Sequence, residues 1–184
     1  MTSPAGTFMQ RDRHLVSSTL RLTSWAGYAA SVWAFVFAAI SIYWAAGGTA
    51  GGSTIGPAIT GMAHNPAFIV VLWGTGALKL IGGFLALALV WPWGRALPRQ
   101  ALLTAAWGGG ILMALFGGAS WVQECLMVLG VIRIPAGLGS TAALWHVVLW
   151  DPWWLLGGIL FIIAAWSYSR RTRDHTRSAG TRPS

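Results

Sequence analysis

The segment AFIVVLWGTGALKLIGGFLALALVW, residues 67–91, decides the fold class of this chain. It is 25 residues long and carries a single charged side chain, Lys79. About 20 predominantly apolar residues are enough for a helix to cross the hydrocarbon core of a bilayer. The segment therefore predicts a transmembrane helix with one ammonium group near its middle.

Three further apolar segments lie along the chain, at residues 25–46, 101–132 and 152–168, and residues 142–151 are expected to share the interface before the last one. Of the 184 residues only 9% are charged, against about 25% in a soluble domain. We predict an all-α fold, a polytopic four-helix transmembrane bundle over residues 25–168. A basic cytoplasmic tail (1–24) precedes the bundle, and a basic, disordered cytoplasmic tail (169–184) follows it.

The positive charges are distributed unevenly around these segments. The two tails and the loop 92–100 carry ten arginines, whereas the loops 47–66 and 133–144 carry one, Arg133. Because Lys and Arg concentrate in cytoplasmic loops, we predict a protein of the bacterial inner (cell) membrane with both termini in the cytoplasm. Anionic lipid head groups are the expected partners of the tails, and arginines confined to the ends of membrane segments argue against nucleic-acid binding.

Tryptophan and glycine are both abundant, with 13 and 24 residues respectively. Most tryptophans fall at the ends of the apolar segments, where aromatic belts meet the head groups; Trp33, Trp73 and Trp107 do not. Glycine pairs inside the segments predict close helix packing. A groove for a lipid tail or a flat hydrophobic ligand is the alternative interpretation.

Lys79 is the strongest candidate for function. An ammonium at the bilayer centre costs about 2.5–3.5 kcal/mol on insertion scales, so we expect it to face the bundle interior. It would pair with Asp151 or Glu124 as a structural ion pair, or it would belong to an anion site or a proton relay.

Asp151 has a structural explanation of its own. Asp followed by Pro before an apolar run is typical of a helix start, with Asp as N-cap and Pro152 at the first helical position. His146 then lies before the helix break that this start implies. It is five residues from Asp151, and a spacing of five does not place two side chains on one face of an α-helix. Similarly, Asn65 and Pro66 predict the start of the second membrane helix.

Metal or cofactor binding receives little support. His64 and His146 lie on the same predicted side and could bind haem, or a metal ion together with Glu124 and Asp151. However, the chain has no HExxH motif, no phosphate-binding or dinucleotide fingerprint and no nucleophile elbow, and Cys125 is its lone cysteine. We therefore predict no cofactor and no metal.

The segments FAAISIYWAAGG (37–48) and WHVVLWDPWWLLGG (145–158) resemble a family of small actinobacterial integral membrane proteins, domain of unknown function 3995. The resemblance covers roughly residues 25–168. It implies four membrane helices and no known activity, cofactor or catalytic residue.

The residues favour a binding protein over an enzyme. We predict an outward-facing polar pocket between helices that holds a lipid or a small hydrophobic ligand, formed by Lys79, Asp151, His146, Glu124, Tyr43, Trp44 and His64. One alternative is a small membrane enzyme that uses His146 or Glu124 as acid or base on a lipidic substrate. Another is a subunit of a proton-coupled transporter built on Lys79, which requires a homo-oligomer or a membrane partner.

Overall fold

A computed structural model of the chain describes the backbone of residues 5–180 and the side chains of residues 25–172. Within that range it has no strand and six α-helices: α1 (Ala5–Ala45), α2 (Pro57–Gly61), α3 (Pro66–Ala88), α4 (Arg99–Val128), α5 (Ser140–Trp145) and α6 (Asp151–Gly180). Two 3-10 turns (Gly52–Thr54, Pro92–Ala96) and one π-helical turn (His146–Trp150) connect them. The side chains of Arg11, Arg13, Arg21, Arg173, Arg177 and Arg182 lie outside the described residues, so their binding to lipid head groups stays a prediction, as do the tail boundaries.

Four stretches are long and apolar enough to cross a membrane: Trp25–Ala45, Pro66–Ala88, Arg99–Val128 and Ser140–Thr172. Many of their large apolar side chains are exposed, among them Val70, Leu78, Ile81, Leu112 and Leu115. In water such a surface is an aggregation liability, whereas lipid tails solvate it. The structure confirms the predicted all-α, four-helix bundle and indicates a multi-pass membrane protein.

The four long helices are arranged as a row in the order α3, α1, α6, α4. Most contacts between helices join α4 to α6, α1 to α3 and α1 to α6, whereas α3 and α4 touch only slightly. Four alanines one turn apart on α1 are buried and let its neighbours approach closely: Ala26, Ala30, Ala34 and Ala38. At Gly158 of α6 an added Cβ would lie 2.7 Å from the Gly110 carbonyl oxygen of α4, so this glycine serves packing.

Trp33 is one of the tryptophans that do not belong to the aromatic belts, and it has a role in packing. Its side chain is buried, and its indole N–H donates a 2.9 Å hydrogen bond to the backbone carbonyl of Trp153. The ring occupies the space over Gly157, where a side chain would collide with it. This tryptophan therefore joins α1 to α6 in the core, whereas Trp73 is exposed on α3.

The loop between α1 and α3, residues 47–65, is folded, and we call it the cap. Although its many Gly, Ser, Thr and Pro residues are typical of irregular coil, it contains α2 and a 3-10 turn. Its backbone is fixed by a 3.0 Å hydrogen bond from Ala58 N–H to the Gly137 carbonyl. Thr54 Oγ1 accepts a 3.1 Å hydrogen bond from the indole of Trp150. The cap is thus hydrogen-bonded to the loop before α5, through Gly137, and to the π turn, through Trp150.

Of the two helix starts predicted from the sequence, one is confirmed and one is wrong. Asn65 is the N-cap of α3, as predicted, because its side chain accepts hydrogen bonds from the backbone N–H groups of Ala67 (2.9 Å) and Phe68 (3.4 Å). Asp151 is not an N-cap, since its own backbone is helical, with φ −71° and ψ −43°. Helix α5, the π turn and α6 form one continuous helical run.

Candidate functional site

A cavity of about 460 Å³ lies between α1, α3, the π turn with the start of α6, and the cap. Its wall residues recur at helical spacing. They are Phe37, Ser41 and Trp44 on α1; Phe68, Leu72, Thr75 and Lys79 on α3; and His146, Trp150 and Trp154 on the third helix. The cap contributes Gly48, Thr49, Gly52, Ile55, Ile59, Thr60, Ala63 and His64. The cavity therefore extends from the cap to the level of Lys79.

Lys79 forms the base of the cavity. Its Nζ donates a 2.6 Å hydrogen bond to Ser41 Oγ, and Ser41 is buried. The same Nζ lies 3.6 Å from the centre of the Phe37 ring and 5.7 Å from that of Trp154. Both rings stabilise the cation through the negative potential of their faces. A hydroxyl and two aromatic rings thus hold the ammonium group.

No carboxylate among residues 25–172 lies within 4.0 Å of this ammonium group, so the expected ion pair of Lys79 with Asp151 or Glu124 is not formed. The helix order gives one reason, because Glu124 is on α4 at the far end of the row from α3. Asp151 is turned towards His146 instead, with its Oδ1 3.4 Å from His146 Nδ1.

The π turn creates this contact of Asp151 with His146. In a π turn the backbone repeats at i to i+5, so His146 and Asp151 come one above the other although they are five residues apart. Pro152 gives the local cause, because it lacks an N–H and its ring collides with the carbonyl four residues earlier. Opening the helix by one residue relieves that collision. The expectation that a spacing of five keeps His146 and Asp151 on different faces of the helix is therefore wrong.

Glu124 is a second buried carboxylate close to His146 and Asp151. Glu124 and Asp151 are 9% and 2% exposed, and Glu124 interacts electrostatically with both His146 and Asp151. One oxygen of each carboxylate, Glu124 Oε2 and Asp151 Oδ2, is buried without a hydrogen-bond partner among the described residues. A buried acceptor without a donor costs free energy.

Four of the seven predicted site residues line the cavity: Lys79, His146, His64 and Trp44. The other three do not. Asp151 contacts His146 Nδ1, Glu124 is buried on α4, and the hydroxyl of Tyr43 accepts a 3.2 Å hydrogen bond from Ala50 N–H, which fixes the start of the cap. The sequence reasoning missed Phe37, Ser41, Thr75, Trp150 and Trp154. Counting helical turns from Lys79 towards the start of α3 would have found Thr75, Leu72 and Phe68.

His64 and His146 line the same cavity, but they do not form part of a metal site in the described residues. Between residues 25 and 172 no group of three or more His, Cys, Asp or Glu side chains is arranged to hold a metal ion. The histidines instead add two polar groups to a mainly apolar wall.

Comparison with known proteins gives one match. No curated protein and no solved structure matches the chain. The model of the family described as "Protein of unknown function (DUF3995)" matches residues 34–161. This range is more than half of the chain and includes every residue that lines the cavity. The chain belongs to the DUF3995 family, whose function is unknown.

Proposed function

We propose that this protein binds a small amphiphilic ligand in the cavity between α1, α3, α6 and the cap. One observation carries the proposal: a cavity of about 460 Å³ with mainly apolar walls has an ammonium group at its base, with no carboxylate within 4.0 Å in the described part of the chain. Ligand sites are typically cavities of about 300–1,000 Å³ with apolar walls and a few well-placed polar groups. Both the size and the composition of this cavity fit that description.

The location of Lys79 supports a ligand more than a structural role. A buried cation that serves structure alone is normally paired with a carboxylate. Lys79 has three N–H donors, and Ser41 accepts from one of them. Two of its N–H donors therefore remain for a ligand.

We further propose that the cap faces away from the cytoplasm in a bacterial inner membrane, with both termini inside. Arginine side chains at the end opposite the cap support this orientation. Arg170 lies 3.9 Å from the Trp166 ring centre, and Arg99 donates a 2.9 Å hydrogen bond to Thr172 Oγ1. The cap carries no Lys or Arg. Reporter fusions at the two termini test the orientation, and a periplasmic signal from either terminus would contradict it. The actinobacterial origin implied by the resemblance stays a prediction.

Mass spectrometry of the purified protein tests the binding function. We expect a small molecule to co-purify with the wild-type chain and to be depleted in Thr75→Leu, which fills the cavity. Ala77→Leu adds a similar side chain to an exposed position of the same helix and should retain the ligand. If neither the wild-type chain nor this control carries a ligand after extraction in mild detergent, binding in the cavity is contradicted.

A second candidate function is acid–base chemistry on a lipidic substrate, and one observation favours it. His146 lines the cavity while its Nδ1 faces Asp151. A carboxylate behind an imidazole holds the ring in one tautomer and stabilises its protonated form. Incubation of the protein with bacterial lipid extract, followed by mass spectrometry, would reveal new products. His146→Gln should abolish those products and leave ligand binding intact.

A further inference from the structure

The base of the cavity contains two hydrogen-bond donors suited to one anionic group. Lys79 Nζ donates to Ser41 Oγ at 2.6 Å, so the Ser41 hydroxyl is used as an acceptor. The hydroxyl proton of Ser41 is donated to no group among the described residues, and the ammonium group has further N–H donors to offer. Thr75 is not available in the same way, because its Oγ1 donates a 3.0 Å hydrogen bond to the Leu72 carbonyl. An ammonium and a hydroxyl therefore face the cavity as neighbouring donors.

The single positive charge at the base of the cavity matches an anion with one negative charge. Lys79 is the only Lys or Arg among the residues that line the cavity. Neither of the two carboxylates in the described part of the chain, Glu124 and Asp151, lines the cavity. Phosphate and sulfate sites usually use arginine forks or several backbone N–H groups at a helix N-terminus. The cavity base has no such groups, so one ammonium and one hydroxyl match the two oxygens of a carboxylate.

Above this base the walls of the cavity are mainly apolar. Aromatic rings line the middle of the cavity on three helices, at Trp44, Phe68, Trp150 and Trp154. Trp44 and Trp150 are in contact, with ring centres 5.6 Å apart. Their indole N–H groups are already used, since Trp44 donates to the Ala50 carbonyl and Trp150 to Thr54. Trp44 and Trp150 thus offer faces and edges to hydrocarbon and no free donors.

We propose that the ligand is a carboxylate with a long apolar chain, of the fatty-acid class, bound with its carboxylate on Lys79 and Ser41 and its chain towards the cap. This inference rests on the proposed binding function and specifies its ligand. The carboxylate of this ligand neutralises Lys79 at the base, and its apolar chain covers the aromatic walls. A neutral lipid of the same length would leave the ammonium group without a counter-ion.

Quenching of tryptophan fluorescence by dibrominated octadecanoic acid tests this inference, with its methyl ester as the neutral probe. The full-length protein is used in nanodiscs, and unlabelled hexadecanoic acid serves as the competitor. We expect saturable quenching by the acid and roughly ten- to hundredfold weaker binding of the ester, as for the loss of one charged hydrogen bond. Lys79→Met should weaken binding of the acid by a similar factor and leave binding of the ester unchanged.

Two further variants keep the result interpretable. Lys79→Arg retains the charge and should bind the acid within a few-fold of wild type. A folding defect of Lys79→Met would abolish binding of the ester as well, so unchanged binding of the ester excludes it. Leu78→Met changes a lipid-facing neighbour and should have no effect. If acid and ester bind equally and Lys79→Met binds both, carboxylate recognition is wrong, whereas the cavity remains a site for a neutral amphiphile. If neither probe shows saturable quenching, and Thr75→Leu leaves the co-purified small molecules unchanged, the proposed binding function fails as well.

Discussion

Replacing Lys79 by Met tests whether the ammonium group stabilises the fold or serves a ligand. The substitution removes the charged hydrogen bond to Ser41, worth about 1.5–3 kcal/mol, and the contact with the Phe37 ring, worth about 0.5–2 kcal/mol. It also removes an ammonium group whose insertion costs about 2.5–3.5 kcal/mol. These terms nearly cancel, so we expect the free energy of unfolding to change by less than about 2 kcal/mol.

A double-mutant cycle with Asp151→Asn sharpens this expectation. Because Lys79 and Asp151 make no direct contact, their coupling energy should stay within about 0.5 kcal/mol. His146→Gln with Asp151→Asn should show coupling of about 0.5–3 kcal/mol, since those side chains are in contact. Reversible unfolding in mixed micelles, followed by tryptophan fluorescence, measures all of these values. Leu78→Met is the matched control on the same helix.

One outcome would refute the reasoning. Breaking a buried ion pair by removing one partner typically costs about 3–5 kcal/mol. If Lys79→Met loses that much, and most of the loss disappears in the presence of Asp151→Asn, then Lys79 and Asp151 form a structural pair. The charge balance on which the carboxylate ligand depends would then be wrong.

Three further predictions concern the framework around the cavity. Gly158→Ala should destabilise the bundle by about 1–3 kcal/mol, as overpacking does, whereas Gly118→Ala should not, because its added Cβ meets its nearest neighbour at 3.9 Å; thermal unfolding of the two variants decides. Trp33→Phe should cost about 1 kcal/mol through loss of the hydrogen bond to the Trp153 carbonyl, and an unchanged unfolding midpoint would contradict that role. Pro152→Ala should let the π turn close into an α-helix and separate His146 from Asp151; nitrogen NMR of the imidazole would then report a change of tautomer, and an unchanged spectrum would show that packing, not proline, holds the turn.

The length and polarity of the segments were sufficient to predict the four membrane helices, because a bilayer imposes about 20 apolar residues on each of them. Lys79 was found for the same reason, since one charge among 25 residues is costly wherever it lies. Trp44 and His146 were predicted from their place near the polar ends. None of these inferences needed to know which helices are neighbours.

The partners of these residues depend on tertiary geometry that composition does not reveal. Ser41 is a small hydroxyl residue in an apolar run, and only the pairing of α1 with α3 brings it to Lys79. Asp151 followed by proline has the pattern of a helix start, yet the chain before it is already helical. The local pattern cannot distinguish these cases, because proline is tolerated both at a helix start and beside a π turn.

The π turn has a consequence for how α6 tolerates changes in length. An α-helix rotates by about 100° per residue, so an inserted residue normally turns every later side chain towards a different neighbour. A π turn takes up one residue within a single wider turn. The face that Trp154 and Gly158 present to α1 and α4 is therefore preserved across residues 146–150. One inserted residue at this point suffices to bring a carboxylate under an imidazole while the remaining helix keeps its phase.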